Sequence, residues 1–425
     1  MSDKRSTLVP LSTEEKQAFS WLASSPVRRV FEALEAAKKG CARLVGGCVR
    51  DGLLSITPND IDIAVQLTPD ETMSALAAAR LRAEPTGIAH GTVTAIVDGT
   101  SIEVTSLRAD VDTDGRHATV SFTDDWLLDA VRRDFTINAM YLTPEFELFD
   151  PWKGREDLRA GIVRFIGEPL ERIREDYLRI LRFFRFSARF AANDFDHDGL
   201  AACRREIGGI SRLSKERIGT ELIKILHGPR RCAAVRAMAE AEVLSAVYPH
   251  KASIEVFCQV VDQSSDLSSG GLLGALWPYT AESDALTDAL RLSNDVASRR
   301  RDVSTIVGAL SKRSMDDLVD LGAMKQTAYF WGIEAAIEGL CIASVTGSNS
   351  QITDSFFDAI ASVVEGLRQW DVPVFPIKGS DVSALGVKPG KEMGDILRSC
   401  EQRWVDEGFP SEARAREILK EVLPS

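Results

Sequence analysis

Residues 44–65 read LVGGCVRDGLLSITPNDIDIAV, and the chemistry packed into this stretch decides the architecture. The apolar run 42–45 ends in Gly46-Gly47, the punctuation of a strand turning into a helix. Glycines at such a turn let backbone N–H groups approach a phosphate, and Arg50 adds a forked cation beside them. A second strand, 61–65, is entered through Asp60-Ile61-Asp62. Side chains two apart on a strand share a face, so Asp60 and Asp62 present paired carboxylates suited to a divalent metal, Mg²⁺ above all. By itself an acid pair at this spacing equally fits an exposed strand edge; the glycine turn upstream supplies the phosphate neighbour that gives it a purpose. Glu103, in the run 102–107, is placed to add a third carboxylate from an adjacent strand.

Outward from this stretch, β-branched runs at 93–97 and 102–107 are bounded by turn residues, and Ser25-Pro26 opens a helix over 26–39 that stops at Gly40. A mixed sheet with flanking helices is expected up to about residue 150. A short strand over 163–167 follows, and arginine-rich segments of helical periodicity then take over to the end. Breaks are expected in SSDLSSGG (264–271), TGSNS (346–350) and DVPVFPIKGSD (371–381). The expected class is α+β, with a mixed-sheet head over 1–150 (extension about 1–24), then a neck over 151–230, a body over 231–370 and a tail over 371–425, all helical.

The chain's 425 residues carry 51 Lys and Arg against 63 Asp and Glu, a net charge of −12 that excludes indiscriminate nucleic-acid binding but leaves room for a local basic groove. Seven scattered cysteines without a C-x-x-C pair argue against a disulfide framework or thiolate zinc site. No apolar stretch approaches the roughly 20 residues of a membrane span, and the N-terminus lacks a signal h-region. A cytoplasmic protein with no membrane partner is expected; oligomeric state is left open.

LVGGCVRD with DIDIAV resembles the first motif of the nucleotidyltransferase superfamily related to DNA polymerase β, specifically the class II group of tRNA CCA-adding enzymes and bacterial poly(A) polymerases. Arg132-Arg133-Asp134-Phe135-Thr136-Ile137-Asn138-Ala139-Met140 is similar to the segment that, in this family, handles the nucleotide's ribose and phosphates. The resemblance implies that Asp60, Asp62 and Glu103 are catalytic, with metal on the first two. Nucleotide contacts then come from Gly46, Gly47, Arg50, Arg133, Asp134 and Asn138. Asp134 could accept from a 2′-hydroxyl while Arg133 pairs with phosphate.

DPWKG (150–154) resembles the family's hinge between head and neck, and Glu175-Asp176-Tyr177-Leu178-Arg179-Ile180-Leu181-Arg182 resembles its base-selecting helix. Positions 176, 179, 182 and 185 are spaced by three and make one winding ridge, with Ile180, Leu181, Phe184 and Ala188 filling the opposite side. By resemblance, Asp176 and Arg179 read the Watson–Crick edge of cytosine or adenine, and Arg182 and Arg185 lie nearer the phosphates. A carboxylate accepts from the exocyclic amine both bases share. From Arg172 to Arg189 six arginines meet two acids, a basic site within an acidic chain.

LSKERIGTELIKIL (213–226) resembles a neck element bracing that helix, and residues 376–397 resemble a tRNA-gripping tail. Some relatives add a phosphohydrolase domain, but His90, His117, His197, His227 and His250 do not cluster with acids as its metal sites require, so no second metal centre is expected. Arg116, in the segment 110–122 where the family has a loop that helps switch from C to A, is a candidate for specificity. The implied activity is addition of C, C and A to the tRNA 3′ end from CTP and ATP with release of pyrophosphate. The alternatives are poly(A) synthesis, CC-only or A-only addition, or a catalytically silent RNA-binding homologue.

Overall fold

The computed structural model describes residues 7–23, 25–88, 91–113, 118–192, 194–264, 266–278, 283–346 and 353–423. They fall into two compact units, residues 1–247 and 248–425.

The first unit begins with strands β1 (Leu8–Pro10), β2 (Ala42–Val45), β3 (Ile61–Val65), β4 (Arg82–Gly87), β5 (Thr92–Val97), β6 (Thr100–Ser106), β7 (Arg108–Thr113), β8 (Ala118–Phe122), β9 (Tyr141–Leu142) and β10 (Glu147–Phe149). Eight of them form one sheet in the order β1-β10-β9-β2-β3-β6-β5-β4, while β7 and β8 pair separately. Every pairing is antiparallel except β3 with β6. That parallel pair sits at the centre, and its alternating side chains bury Ile63, Val65, Ile102 and Val104. β1 brings residues 8–10 of the expected N-terminal extension onto the sheet edge, where Pro10's missing N–H is tolerated.

Helices α1 (Thr13–Ala18), α2 (Ser25–Ala37), α3 (Gly47–Leu53), α4 (Pro69–Ala78) and α5 (Trp126–Val131) flank the sheet strands in sequence. The expected helix over 26–39 is thus two residues shorter at its end, with Gly40 at φ +72° beyond it. From residue 154 the unit is helical: α6 (Gly154–Ala160), α7 (Pro169–Glu175), α8 (Leu178–Phe190), α9 (His197–Arg205), α10 (Lys215–Leu226), α11 (Arg231–Glu240) and α12 (Val243–Val247).

The strand expected over 163–167 does not form. Phe165 makes a single bridge to Phe135, flanked by Thr136 N to Arg164 O (3.0 Å) and Ile166 N to Asp134 O (3.1 Å). Its apolar side chains serve an aromatic cluster instead. Phe165 lies 4.9 Å from Phe135 and 5.5 Å from Phe183 between ring centroids, and Phe135 lies 5.3 Å from Phe186. Each such pair contributes roughly 0.5–1.5 kcal/mol beyond burial, so the RRDF segment and α8 are fastened by apolar contact directly beneath their charged groups.

The second unit is helical throughout its secondary structure, from Ile254–Gln263 to Glu412–Val422. Its C-terminal part packs Trp404, Cys400, Val405, Ile396, Ile418 and Leu419 into one cluster. SSDLSSGG, expected as a break, is only half one: Ser268 caps a buried helix, Ser269–Leu276. Its glycines are there for close packing, since a Cβ on Gly271 would stand 2.6 Å from Glu338 Cδ. The expected break at 371–381 is extended chain before the short helix Gly379–Ser383. That at 346–350 falls, after Thr346, outside the described residues. All seven cysteines are free thiols, six of them buried. No helix among the described residues is long and apolar enough to cross a membrane.

Candidate active site

Gly46 ends β2 and caps α3 at φ 72°, ψ −122°, a conformation open to glycine but strained for any other residue. The turn aims the start of α3 at a cavity of about 430 Å³. Its walls are Gly46, Gly47, Arg50, Asp62, Arg133, Asp134, Asn138, Asp176, Arg179, Arg182 and Phe186. Ten of the thirteen residues singled out in the sequence therefore converge on one basin; Asp60, Glu103 and Arg185 do not line it.

Asp62 and Glu103 are direct neighbours, in register across the parallel β3–β6 pair. Asp60 stands one residue before β3 and is exposed. Burial first, then the Glu103 and Asp60 charges, push the Asp62 carboxyl up to about 6 against the opposing pull of Arg133. Carboxylates gathered so closely repel, and a divalent cation is the natural relief. The donor set therefore fits a metal. Among the described residues, no three His, Cys, Asp or Glu side chains close into a cage, so an ion here would draw its other oxygens from water and substrate phosphate, as magnesium does.

A hydrogen-bonded chain crosses the basin floor. Arg50 Nη1 donates to Asn138 Oδ1 (2.6 Å), and Asn138 Nδ2 donates to Asp134 Oδ1 (3.0 Å). Asp134 Oδ1 also accepts from the Phe135 N–H (2.9 Å), while Oδ2 accepts from Arg182 Nε (2.7 Å), with Nη2 in ionic contact at 2.5 Å. These three bonds fill Oδ1 and leave one acceptor position on Oδ2, beside Arg182. Although burial works to raise it, Arg182, Asn138 and the Phe135 amide hold the Asp134 carboxyl below its usual range. A ribose hydroxyl could reach Asp134 only at Oδ2, beside Arg182, a constraint invisible in the sequence.

Arg133 is anchored by a residue the sequence reading passed over. Asp129, on α5 and 1% exposed, receives Arg133 Nη2 (3.2 Å), Arg132 Nη2 (2.5 Å) and the Tyr141 hydroxyl (2.6 Å). Its place four residues before Arg133 was the available signal.

The expected ridge is broken at its first member. Asp176 caps the end of α7 in an extended conformation (φ −150°, ψ 106°), and α8 starts only at Leu178. The break is held by Tyr177, whose ring occupies the space a Cβ on Gly209 would need, at 1.8 Å. The opposite face is as expected: Ile180, Leu181, Phe184 and Ala188 are fully buried.

Freed from the helix, Asp176 still borders the cavity. Oδ1 accepts from the Leu178 N–H (3.0 Å) and Oδ2 from Arg217 Nη2 (2.9 Å), so each oxygen keeps an acceptor position. Arg179 is held on three sides: Nη1 donates to Arg172 O (2.8 Å) and Glu175 Oε2 (2.5 Å), and Nη2 to Arg132 O (2.9 Å). Nε and one Nη2 hydrogen have no partner in these bonds. Glu175 also grips Arg172 Nη1 (2.7 Å), which makes it the clamp between the two arginines. Arg185 turns away to Glu221 Oε1 (2.9 Å) on α10. Arg116 lies outside the described residues.

A glycine turn, the Asp62 carboxylate from the adjoining strand, and Asp176 with a clamped Arg179 stand around one cavity, and comparison with known proteins agrees. The chain is 33% identical over 375 residues to human "CCA tRNA nucleotidyltransferase 1, mitochondrial", covering 87% of this chain and 84% of the relative. The chain belongs to the CCA-adding tRNA nucleotidyltransferase family. The CCA-adding enzyme of Streptococcus gordonii is 30% identical over 88% of this chain and 91% of its own. The profile "Poly A polymerase head domain" matches residues 42–164, and "Probable RNA and SrmB- binding site of polymerase A" matches 194–254. Among solved structures, the CCA-adding enzyme of Bacillus stearothermophilus in complex with CTP shares the fold at a TM-score of 0.70 and 24% identity, over 94% of this chain and 98% of that one. The Thermotoga maritima enzyme complexed with tRNA_CCA aligns at 0.66 and 21%, over 96% and 97%. The polymerase-β-like mixed-sheet head followed by helices is thus the family's architecture.

Proposed function

We infer that this chain is a CCA tRNA nucleotidyltransferase, adding C, C and A to the tRNA 3′ end from CTP and ATP and releasing pyrophosphate. The observation that carries this reading is the pairing of Asp176 with Arg179 in the cavity wall. A carboxylate with acceptor positions left, beside a guanidinium with donors left, matches an exocyclic amine next to a ring nitrogen, the pattern shared by cytosine and adenine. Uracil presents a carbonyl where the amine should be, and guanine presents the reverse order.

The remaining residues divide the work. Gly47, at the open start of α3, offers its backbone N–H, while the Gly46 N–H is spent on Met140 O (3.2 Å); Arg50 and Arg182 offer positive charge to the triphosphate. Arg133, steadied by Asp129, balances charge near Asp62. Asp62 and Asp60, with Glu103 beside Asp62, would hold magnesium on the pair, which when bound lowers the pKa of the attacking 3′-hydroxyl and offsets charge on the leaving pyrophosphate. The clustering that raises Asp62 supports that assignment. A cytoplasmic setting is the corresponding proposal for location, supported by the seven free thiols; the human relative is mitochondrial by name.

The test is incubation with tRNA transcripts ending before CCA. With CTP alone the product should stop after two additions, and with both nucleotides after three. Unlimited growth on ATP alone would make it a poly(A) polymerase, and no incorporation at all would leave only an RNA-binding homologue.

A further inference from the structure

On the other side of Arg50 and Phe186 from the nucleotide cavity lies a second, larger basin of about 700 Å³, and no role described so far uses it. One wall is the far side of α8, where Arg185 and Arg189 stand one turn apart; another is the end of α10, with Lys224. The third is the exit of α3, which leaves Leu54 and Ile56 at 38% and 42% exposure. Two open aliphatic side chains opposite three cations need an explanation that folding does not give.

The aromatic floor adds to this. Phe190 stacks on Phe186 (6.0 Å between centroids, 21° between planes). Arg50 and Arg189 lie over the Phe190 ring at 4.3 and 5.0 Å, and Arg185 lies over Phe186 at 4.5 Å. Guanidiniums held over ring faces by cation–π attraction are also the side chains best suited to gripping phosphate oxygens. Acidic neighbours only partly neutralise them: Asp51 pairs with Arg50 at 2.8 Å and stands 3.6 Å from Arg189, and Glu221 serves Arg185 at 2.9 Å and Lys224 at 4.0 Å. Cations along a backbone path beside apolar platforms for bases are how single-stranded nucleic acid is held without reading its sequence.

We propose that this basin holds a nucleotide unit of the bound RNA, its phosphate on Arg189 and Lys224 and its base against the open Leu54 and Ile56. The assignment rests on the RNA-extending role inferred above, and gives that role a second nucleotide position sharing the Arg50 and Phe186 wall with the first. RNA is favoured over a free nucleotide because Lys224, His227, Gly228 and Pro229 belong to the 194–254 segment that matches the RNA-binding profile. The same phosphate chemistry would nonetheless accept a free mononucleotide, so the experiment must separate the two.

The test uses the full chain carrying R189Q and K224Q together, neither residue lining the nucleotide cavity and both about half exposed. Binding of a tRNA transcript lacking CCA is titrated between about 50 and 200 mM KCl. The double variant should bind about tenfold more weakly at the low-salt end, with a log-log salt slope shallower by roughly 1 to 2, while CTP binding without RNA is unchanged. If the double variant melts early, R189Q and K224Q singly carry the same test, each removing about one unit of slope. Unchanged tRNA affinity and slope overturn the proposal. So does a second equivalent of CMP bound by the RNA-free wild type and lost in the variant with tRNA affinity intact, since the basin then serves free nucleotide. Binding is read independently of turnover, so failure of the CCA-adding reading would appear separately, as wild-type protein that binds tRNA and incorporates nothing.

Discussion

Arg182 on α8 grips the Asp134 carboxylate, with Nε and Nη2 at 2.7 and 2.5 Å, and thereby ties α8 to the Arg132–Met140 segment of the sheet domain. Asp134 is 7% exposed and accepts from Arg182, Asn138 and the Phe135 amide. Removing it leaves Arg182, Asn138 and the Phe135 amide without their acceptor in a buried setting. Breaking a buried pair from one side costs about 3 to 5 kcal/mol. Asp134→Ala should therefore lower the melting temperature of the first unit by several degrees, whereas an equal melting point would show that the pair does not join the two layers.

Glu175 should matter through Arg179 rather than by touching substrate. Its carboxylate neutralises Arg172 and fixes the Arg179 fork. Glu175→Gln keeps the shape but removes the charge, so kcat/KM for CTP should fall about tenfold, the scale of a weakened charged hydrogen bond, with melting little changed. A fall in stability without a fall in kcat/KM would assign Glu175 to structure alone.

Asp62→Asn should abolish incorporation by several orders of magnitude while tRNA binding stays near wild type, because the carboxylate serves metal and developing charge, not RNA grip. Stripping divalent ions with a chelator should do the same to the wild type, and magnesium should restore it. Residual turnover of the mutant at near-normal rate would remove the metal assignment.

Base choice is tested by Asp176→Ala and Arg179→Ala. A buried partner left unmade costs about 1 to 3 kcal/mol, roughly 5- to 150-fold in selectivity. Both variants should relax discrimination against UTP and GTP, with kcat/KM measured for all four nucleotides. Equal proportional losses would make this corner a brace only.

What the sequence made legible was whatever local pattern dictates. Strands 42–45 and 61–65 form at the expected residues because short apolar or β-branched runs bounded by turns have few alternatives. The buried face of α8 follows from its period. What it hid depends on partners distant in sequence. Phe165 gave up its strand for an aromatic cluster with Phe135 and Phe183, and Asp176 left the helix because Tyr177 packs on Gly209, 32 residues on. Arg185 was expected near phosphates and instead meets Glu221 from α10. Periodicity cannot report which of several arginines a remote acid will claim.

Asp129 supplies the pH test. Burial works to raise its carboxyl, but Arg133, Arg132 and the Tyr141 hydroxyl outweigh burial and hold it at about 2, against 3.8 for an ordinary aspartate. A group depressed on folding stabilises above its unfolded value and loses that contribution as pH falls through its folded value. The difference corresponds to about 2 kcal/mol when complete, of which about 1 kcal/mol is gone by pH 3. Urea unfolding of the first unit should thus show wild type losing its advantage over Asp129→Asn as pH drops from about 5 to 3. The asparagine cannot titrate, so a gap between the two proteins that stays constant across this window would mean that Asp129 is not the carboxylate holding the arginine pair. A gap that narrows identifies the anchor of Arg133, and with it the residue that keeps a positive charge beside Asp62.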